Sequence, residues 1–97
     1  MTTHIVLWNF IEELSAEERE EAAQKIKAAL EPLKGIIPGV LSLKVVINEL
    51  GSSNRDIALI AEYESVEALN SYTVHPAHVE AGKYIRSVTC NRACLDY

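Results

Sequence analysis

The sequence predicts an α+β protein whose elements follow the order β-α-β-β-α-β, and three observations indicate this order. The composition, with 48% hydrophobic and 24% charged residues in a chain of 97, is ordinary for a globular protein. Short stretches alternate apolar and polar residues with the period of two that a strand requires. Other stretches place apolar residues at helical spacing behind good capping residues. At this length we expect one domain that spans residues 1–97.

The first strand is predicted at His4–Phe10, which is short and rich in β-branched and aromatic side chains. A helix follows, because Ser15 and Glu18 have the spacing of a capping box. Apolar residues then recur at helical spacing, at Ala22, Ala23, Ile26, Ala29, Leu30 and Leu33. We expect Pro32 to end or kink this helix near its last turn, with Gly35 just beyond.

The second and third strands are predicted to form an antiparallel hairpin. Val40–Glu49 alternates in polarity, and four apolar residues are expected on one face, at Leu41, Leu43, Val45 and Ile47. The turn-forming residues Gly51–Asn54 follow, and Asp56–Tyr63 is the next strand. A hairpin therefore accounts for the middle of the chain.

The remaining elements are two helical segments and a closing strand. Ser65 can cap a helix from Val66 to about Val74. Pro76 breaks that helix and suits the first position of a further helical segment. We expect Arg86–Tyr97 to be the last strand. The complete order is that of the ferredoxin-like fold.

The first and third strands are apolar on both faces, which predicts a homodimer. In the first strand Val6 and Trp8 alternate with the equally apolar Ile5 and Leu7. The helices can cover only one face of a four-stranded sheet, and a large bare apolar face is a liability in water. A second copy, packed sheet against sheet about a two-fold axis, would cover it. We expect the pair to form a dimeric α/β barrel.

Charge and motifs exclude several functional classes. The net charge is −5 and no cluster of Lys and Arg is present, which argues against nucleic-acid partners and membrane-surface binding. The apolar runs are too short to cross a membrane, and the N-terminus lacks the charged start of a signal peptide. We therefore expect a cytoplasmic protein. No phosphate-binding glycine loop or nucleophile elbow occurs, so we expect no cofactor.

The two cysteines are predicted to be free thiols. Cys90 and Cys94 are expected on one face of the last strand, roughly 13 Å apart, which is too far for a disulfide. Their simplest interpretation is burial in the core. A metal site at the cysteines would need two more ligands, and none lies nearby in the sequence. A site built on His75 and His78 would depend on His4 as its third ligand, which is not a reliable one. We therefore expect no metal site.

The candidate chemistry gathers at the break between the two helical segments, around Tyr72 and His78. A histidine titrates near neutral pH and can move a proton, and a tyrosine hydroxyl beside it can donate to an oxyanion. The alternative is structural: His78 packs the helix against the sheet, and Tyr72, His4 and Trp8 belong to the core. From spacing alone, both interpretations stand.

Several motifs together resemble the stress-responsive α/β-barrel (Dabb) family. They are His4-Ile-Val-Leu-Trp-x-Phe10, Ile37-Pro-Gly-Val40, Tyr72-x-x-His-Pro-x-His78-Val79 and the closing Leu95-Asp-Tyr97. The resemblance implies a ferredoxin-like protomer and a dimeric barrel. Many members are known only as stress-induced proteins, whereas polyketide-cyclase members perform a cofactor-free aldol condensation.

The resemblance to those cyclases implies roles for individual residues. Their general base falls on His78 and their assisting tyrosine on Tyr72, while a pocket histidine falls on His4. We expect Trp8 and Leu59 to line the same substrate pocket. Two functions follow: His/Tyr acid–base chemistry on a small apolar or polyketide-like molecule, or a non-enzymatic barrel that binds a ligand or serves in stress. A cavity of roughly 300 Å³ or more beside His78 would favour the first.

Overall fold

The computed structural model describes all residues, 1–97, and contains four strands, three α-helices and one 3₁₀ helix. In chain order they are β1 (Thr2–Phe10), α1 (Ala16–Leu30), the 3₁₀ helix (Glu31–Gly35), β2 (Val40–Ile47), β3 (Ile57–Tyr63), α2 (Val66–Val74), α3 (Pro76–Val88) and β4 (Thr89–Asp96). The strands form one antiparallel sheet in the order β2-β3-β1-β4. This is the ferredoxin-like arrangement that the sequence predicts.

The start and end of α1 follow from local chemistry. The backbone N–H of Glu18 donates to the Ser15 hydroxyl (3.2 Å), and the Ser15 N–H donates to the Glu18 carboxylate (2.9 Å). The predicted capping box is thus present. Pro32 ends the α-helical hydrogen bonding, and the chain tightens into the 3₁₀ helix. One face of α1 is buried against the sheet, at Ala22, Ala23, Ile26 and Leu30.

A register irregularity at the start of β2 changes which residues face the core. Val40 pairs with Tyr63 and Ser42 with Glu62, so the strand shifts register between them. Leu41, which the simple alternation assigns to the buried face, is 41% exposed. That assignment was wrong. One extra residue in a strand reverses the alternation, so that residues before and after it no longer share a face as a simple period of two predicts. The strand also ends at Ile47, two residues earlier than predicted.

Gly39, just before β2, fills a position that disfavours other residues. Its φ of +86° lies in the left-handed region, and an added Cβ would stand 2.7 Å from the Ala68 Cβ. We expect Gly39→Ala to lower the free energy of unfolding by about 2 kcal/mol, measured by chemical denaturation. Gly35→Ala is the control, since nothing lies within 4 Å of its added Cβ. Equal losses in the two variants would contradict this account.

The break between α2 and α3 has its cause in Pro76. His75 precedes the proline and takes an extended conformation (φ −63°, ψ 135°), because a residue before proline avoids the helical region. Its Nδ1 accepts the Ala77 backbone N–H at 3.1 Å and so caps α3. Both predicted helical segments are confirmed. The predicted last strand was wrong in its start, because α3 continues through Arg86 to Val88 and β4 begins at Thr89.

A second irregularity, in β4, separates the two cysteines. Asn9 pairs with Cys90 and Leu7 with Ala93, so two residues of β4 stand opposite Trp8. One of them, Asn91, has φ +54°. The bulge reverses the alternation, and Cys90 and Cys94 therefore lie on opposite faces of the sheet. Both are exposed in the protomer, so the predictions of a shared face and of burial were wrong.

The three helices pack on one face of the sheet and leave the other bare. The helix-side face of β1 is buried at every second residue, from Thr2 to Phe10. The opposite face carries partly or largely exposed apolar side chains, at Ile5, Leu7, Val46, Ala58, Ile60 and Leu95. The core thus lies between the sheet and the helices. None of the helices is long and apolar enough to span a membrane.

Candidate functional site

A cavity of about 250 Å³ lies between the helix-side face of the sheet and α3. Its apolar wall is built from β1, β3, α1 and α3, at Val6, Trp8, Leu59, Leu30 and Ile85. His4 and His78 also line it. Four of the five side chains predicted for the site therefore surround one hollow. Its volume falls somewhat below the roughly 300 Å³ that would favour the enzymatic interpretation, and it suits only a compact ligand.

The helix break orients the His78 ring. The Nδ1 atom lies 3.1 Å from the backbone carbonyl oxygen of Thr73, in the last turn of α2. A carbonyl can only accept, so Nδ1 carries the proton and donates it. The terminal carbonyls of a broken helix lack N–H partners within that helix, and His78 supplies one. The Nε2 lone pair of His78 is then left to accept a proton.

The surroundings of His78 favour its neutral form. Burial lowers the pKa of His78 below its ordinary 6.5, and the hydrogen bond to Thr73 opposes this shift. Positive charge at His4, Arg86 and Arg92 lowers the pKa of His78 further. A histidine that is neutral at pH 7 is ready to act as a base.

This environment gives a directly measurable titration. We expect His78 to titrate below pH 6.5 in an NMR pH series of its ring protons. Arg92→Leu removes a nearby positive charge, so the midpoint should rise. Lys83→Leu removes the same charge from the exposed side of α3 and should leave the midpoint in place. A midpoint above 6.5, or equal shifts in both variants, would contradict this description.

Tyr72 stands behind the His78 ring and does not line the cavity. The ring centroids are 4.3 Å apart, and Tyr72 also packs on Tyr63 at 5.1 Å. Tyr72 is completely buried, and its hydroxyl has no hydrogen-bond partner. Burial raises the pKa of Tyr72 to about 12. This residue is placed to fix the His78 ring by packing. The sequence predicts that the Tyr72 hydroxyl donates a hydrogen bond to an oxyanion, but that hydroxyl does not line the cavity.

His4, which also lines the cavity, is held by β4. The Asp96 carboxylate accepts a hydrogen bond from the His4 Nδ1, and this bond lowers the pKa of Asp96. The Cys94 thiol lies 3.7 Å from that nitrogen and 3.5 Å from the carboxylate. These three donor atoms are within 4.8 Å of one another and form the only such group in the chain. His75 is not part of it, because it caps α3.

Sequence reasoning missed two arginines of the cavity. Arg86 of α3 and Arg92 of β4 both line it. Neither stands out in the sequence, since Arg86 was assigned to the last strand and the bulge that places Arg92 has no clear signal. Only helical spacing gives a local indication. Arg86 follows His78 by eight residues, which places both on the same face of a helix.

Larger hollows on the surface lack this combination of groups. One of about 340 Å³ lies at the β2–β3 turn, and another of about 430 Å³ lies between α1 and α3. Neither contains a histidine. The cavity beside His78 is therefore the candidate site.

Comparison with known families and structures gives a consistent result. The family model for the stress-responsive A/B barrel domain matches residues 2–97. No curated protein sequence matches significantly. A dimeric protein of unknown function and ferredoxin-like fold from Bacteroides fragilis is 31% identical, with a TM-score of 0.92 over 99% of this chain and 93% of that one.

Two more distant structures share the fold alone. A Dabb family protein from Mesorhizobium loti is 18% identical, with a TM-score of 0.75 over 99% of this chain and 93% of its own. The hydroxynitrile lyase of Passiflora edulis is 19% identical, with a TM-score of 0.81 over 99% and 90%. The same backbone thus occurs in proteins described very differently.

Proposed function

The chain belongs to the family of stress-responsive A/B barrel domains, and from this premise we propose that it performs cofactor-free proton transfer on a small apolar carbonyl compound. The observation that carries the proposal is the His78 imidazole, which faces an apolar cavity with its Nε2 lone pair unused. A proton on the carbon next to a carbonyl group is the natural target of such a base.

Each residue of the site has a distinct part in this proposal. His78 is the catalytic base and receives the proton at Nε2. Tyr72 is a positioning residue, since it contacts the base and not the cavity. His4, Trp8 and Leu59 bind the substrate by shaping the wall against which it lies. That a plant member of the same fold is described as a hydroxynitrile lyase supports acid–base chemistry in this scaffold.

Hydrogen–deuterium exchange tests the proposal without knowledge of the natural substrate. In D₂O, a base that removes and returns an α-proton replaces it with deuterium, and the ¹H NMR signal disappears. We expect the protein to accelerate this loss in small apolar ketones such as acetophenone. Exchange no faster than in buffer for every ketone of a broad panel would refute the proposal.

A binding protein without catalysis is the second candidate. The observation that favours it is the Tyr72 hydroxyl, which does not reach the cavity and leaves no tyrosine donor for an enolate oxygen. Ligand binding that raises the melting temperature with no exchange at all would support this candidate.

We further propose that the protein is a homodimer joined through the bare face of its sheet. The apolar side chains of that face support this, as does the dimeric state of the Bacteroides fragilis protein. Light scattering is expected to give twice the chain mass of 10.8 kDa.

A charge on that face should separate the protomers. Ile60 is 40% exposed on the bare face, so Ile60→Lys is expected to give the mass of a monomer, because a buried lysine without a partner is costly. Ile36→Lys is the control, since Ile36 is 56% exposed and lies outside the sheet. A wild-type monomer, or a dimeric Ile60→Lys variant, would refute the sheet-to-sheet interface.

A further inference from the structure

We propose that the ligand of the cavity is a small organic carboxylate, with its carboxylate held by Arg86 and Arg92 and its apolar part inside. This inference rests on the proposed site beside His78 and names its substrate class. Sequence patterns alone do not indicate this ligand, because the position of Arg92 at the cavity depends on the bulge in β4.

The ionisable groups that line the cavity are all basic. Besides the two histidines, they are Arg86 and Arg92, and no Asp or Glu is among the lining residues. The chain as a whole carries a net charge of −5, whereas the two guanidinium groups make the charge at the cavity positive. Asp96, which lies near Arg92, is bound to His4 and does not line the cavity.

Neither guanidinium group is paired with a carboxylate of the protein. Arg86 forms no ion pair with a carboxylate, and Arg92 forms none either, although it lies beside the Cys94 thiol and near Asp96. The other two arginines of the chain behave differently. Arg19 contacts two backbone carbonyls and Asp56, and Arg55 donates to the carbonyl oxygen of Asn91. The two arginines at the cavity thus retain their donors for a ligand.

The fold aims Arg86 at the cavity. Gly82, one turn earlier on α3, also lines the cavity and has no side chain. A Cβ at Gly82 would lie 3.1 Å from an Nη atom of Arg86, so the guanidinium group lies over the space that the glycine leaves. The group is therefore folded back along the cavity side of the helix.

The bulge in β4 aims Arg92 at the same place. Asn91 and Arg92 together stand opposite Trp8, and the positive φ of Asn91 turns the chain there. Bulges commonly redirect a side chain beside a functional site. Both arginines are exposed, which places their charges at the mouth of the cavity and the apolar wall behind them.

This arrangement matches an apolar carbonyl compound with one carboxylate. Guanidinium groups pair with carboxylates through two parallel hydrogen bonds. With the carboxylate at the mouth, the neighbouring ketone and its α-carbon lie within the cavity that His78 lines. The C–H bond then breaks as an N–H bond forms at Nε2, and the electron pair becomes an enolate. Return of the proton, or of deuterium from solvent, restores the ketone.

Binding of phenylpyruvate and of its methyl ester tests the inference. The two differ in a negative charge, and isothermal titration calorimetry gives the dissociation constant of each. We expect phenylpyruvate to bind at least about tenfold more tightly than the ester. Arg86→Leu and Arg92→Leu should each remove most of that preference, and Lys83→Leu on the outer side of α3 should keep it. Circular dichroism verifies that each variant is folded.

Conservative variants and other outcomes complete the test. Lysine retains the charge but not the two parallel hydrogen bonds, so Arg92→Lys should recover only part of the preference. Equal affinity for acid and ester, or a preference unchanged in both leucine variants, would overturn the inference. Failure of the proposed function would give a different result. Phenylpyruvate would bind through the arginines, but neither phenylpyruvate nor acetophenone would exchange its α-protons for deuterium.

Discussion

His78→Asn is expected to slow the deuterium exchange of ketone substrates by about 10²–10⁴-fold, which is the usual contribution of a general base. Asparagine can still donate to the Thr73 carbonyl oxygen, so the hydrogen bond at the helix break has a replacement. It has no lone pair of comparable basicity. The measurement is the rate of α-proton loss by NMR, with the melting temperature recorded for the same samples.

Two further variants separate catalysis from structure. His75→Asn changes the neighbouring histidine, which caps α3 and lies outside the cavity, and should leave the exchange rate nearly unchanged. Tyr72→Phe removes a buried hydroxyl that has no partner, so we expect little loss of stability and little change in rate. Tyr72→Leu removes the ring that packs on His78 and should slow exchange and shift its pH profile.

The pH dependence provides an independent check of this role. Only neutral His78 can accept a proton, so kcat/KM should fall as the pH drops through the lowered pKa of that group, below 6.5. A collapse of the melting temperature in His78→Asn, with a rate that falls only because the protein unfolds, would favour the structural interpretation.

The parts of the fold that the sequence could predict depend on short-range chemistry. The capping pairs at Ser15 and Ser65, and the prolines at 32 and 76, act on their immediate neighbours and fix where helices begin and end. Strand β1 was predicted from its β-branched and aromatic side chains, and in the structure its burial alternates strictly along its whole length. These elements were predicted closely.

The errors about which face a residue occupies have a common physical origin in the two strand irregularities. A single extra residue reverses the alternation, and the sequence gives little sign of where it falls. Leu41 and the two cysteines were assigned to the wrong surroundings for this reason. The same bulge in β4 brings Arg92 to the cavity. Hydrophobic periodicity also cannot predict contacts between residues that are distant in the sequence, such as the contact of His4 with Asp96.

Leu30→Ala is expected to combine a large loss of stability with a wider site. Leu30 is 1% exposed, ends α1 and forms part of the cavity wall. Truncation of a buried leucine costs about 2–5 kcal/mol, because contacts are lost and the hole is only partly filled. For a chain of this size, 3 kcal/mol corresponds to a melting temperature lower by roughly 12–24 °C. Thermal denaturation followed by circular dichroism measures it.

The same variant tests whether the hollow is a true binding site. Because Leu30 borders the cavity, its truncation should let a bulkier ketone undergo exchange while His78 stays in place. Val74→Ala, at an exposed position of α2, is the control and should change the free energy of unfolding by about 0.5 kcal/mol or less. If Leu30→Ala loses stability yet the preference for ligand size stays the same, the ligand lies elsewhere and the cavity is a packing defect.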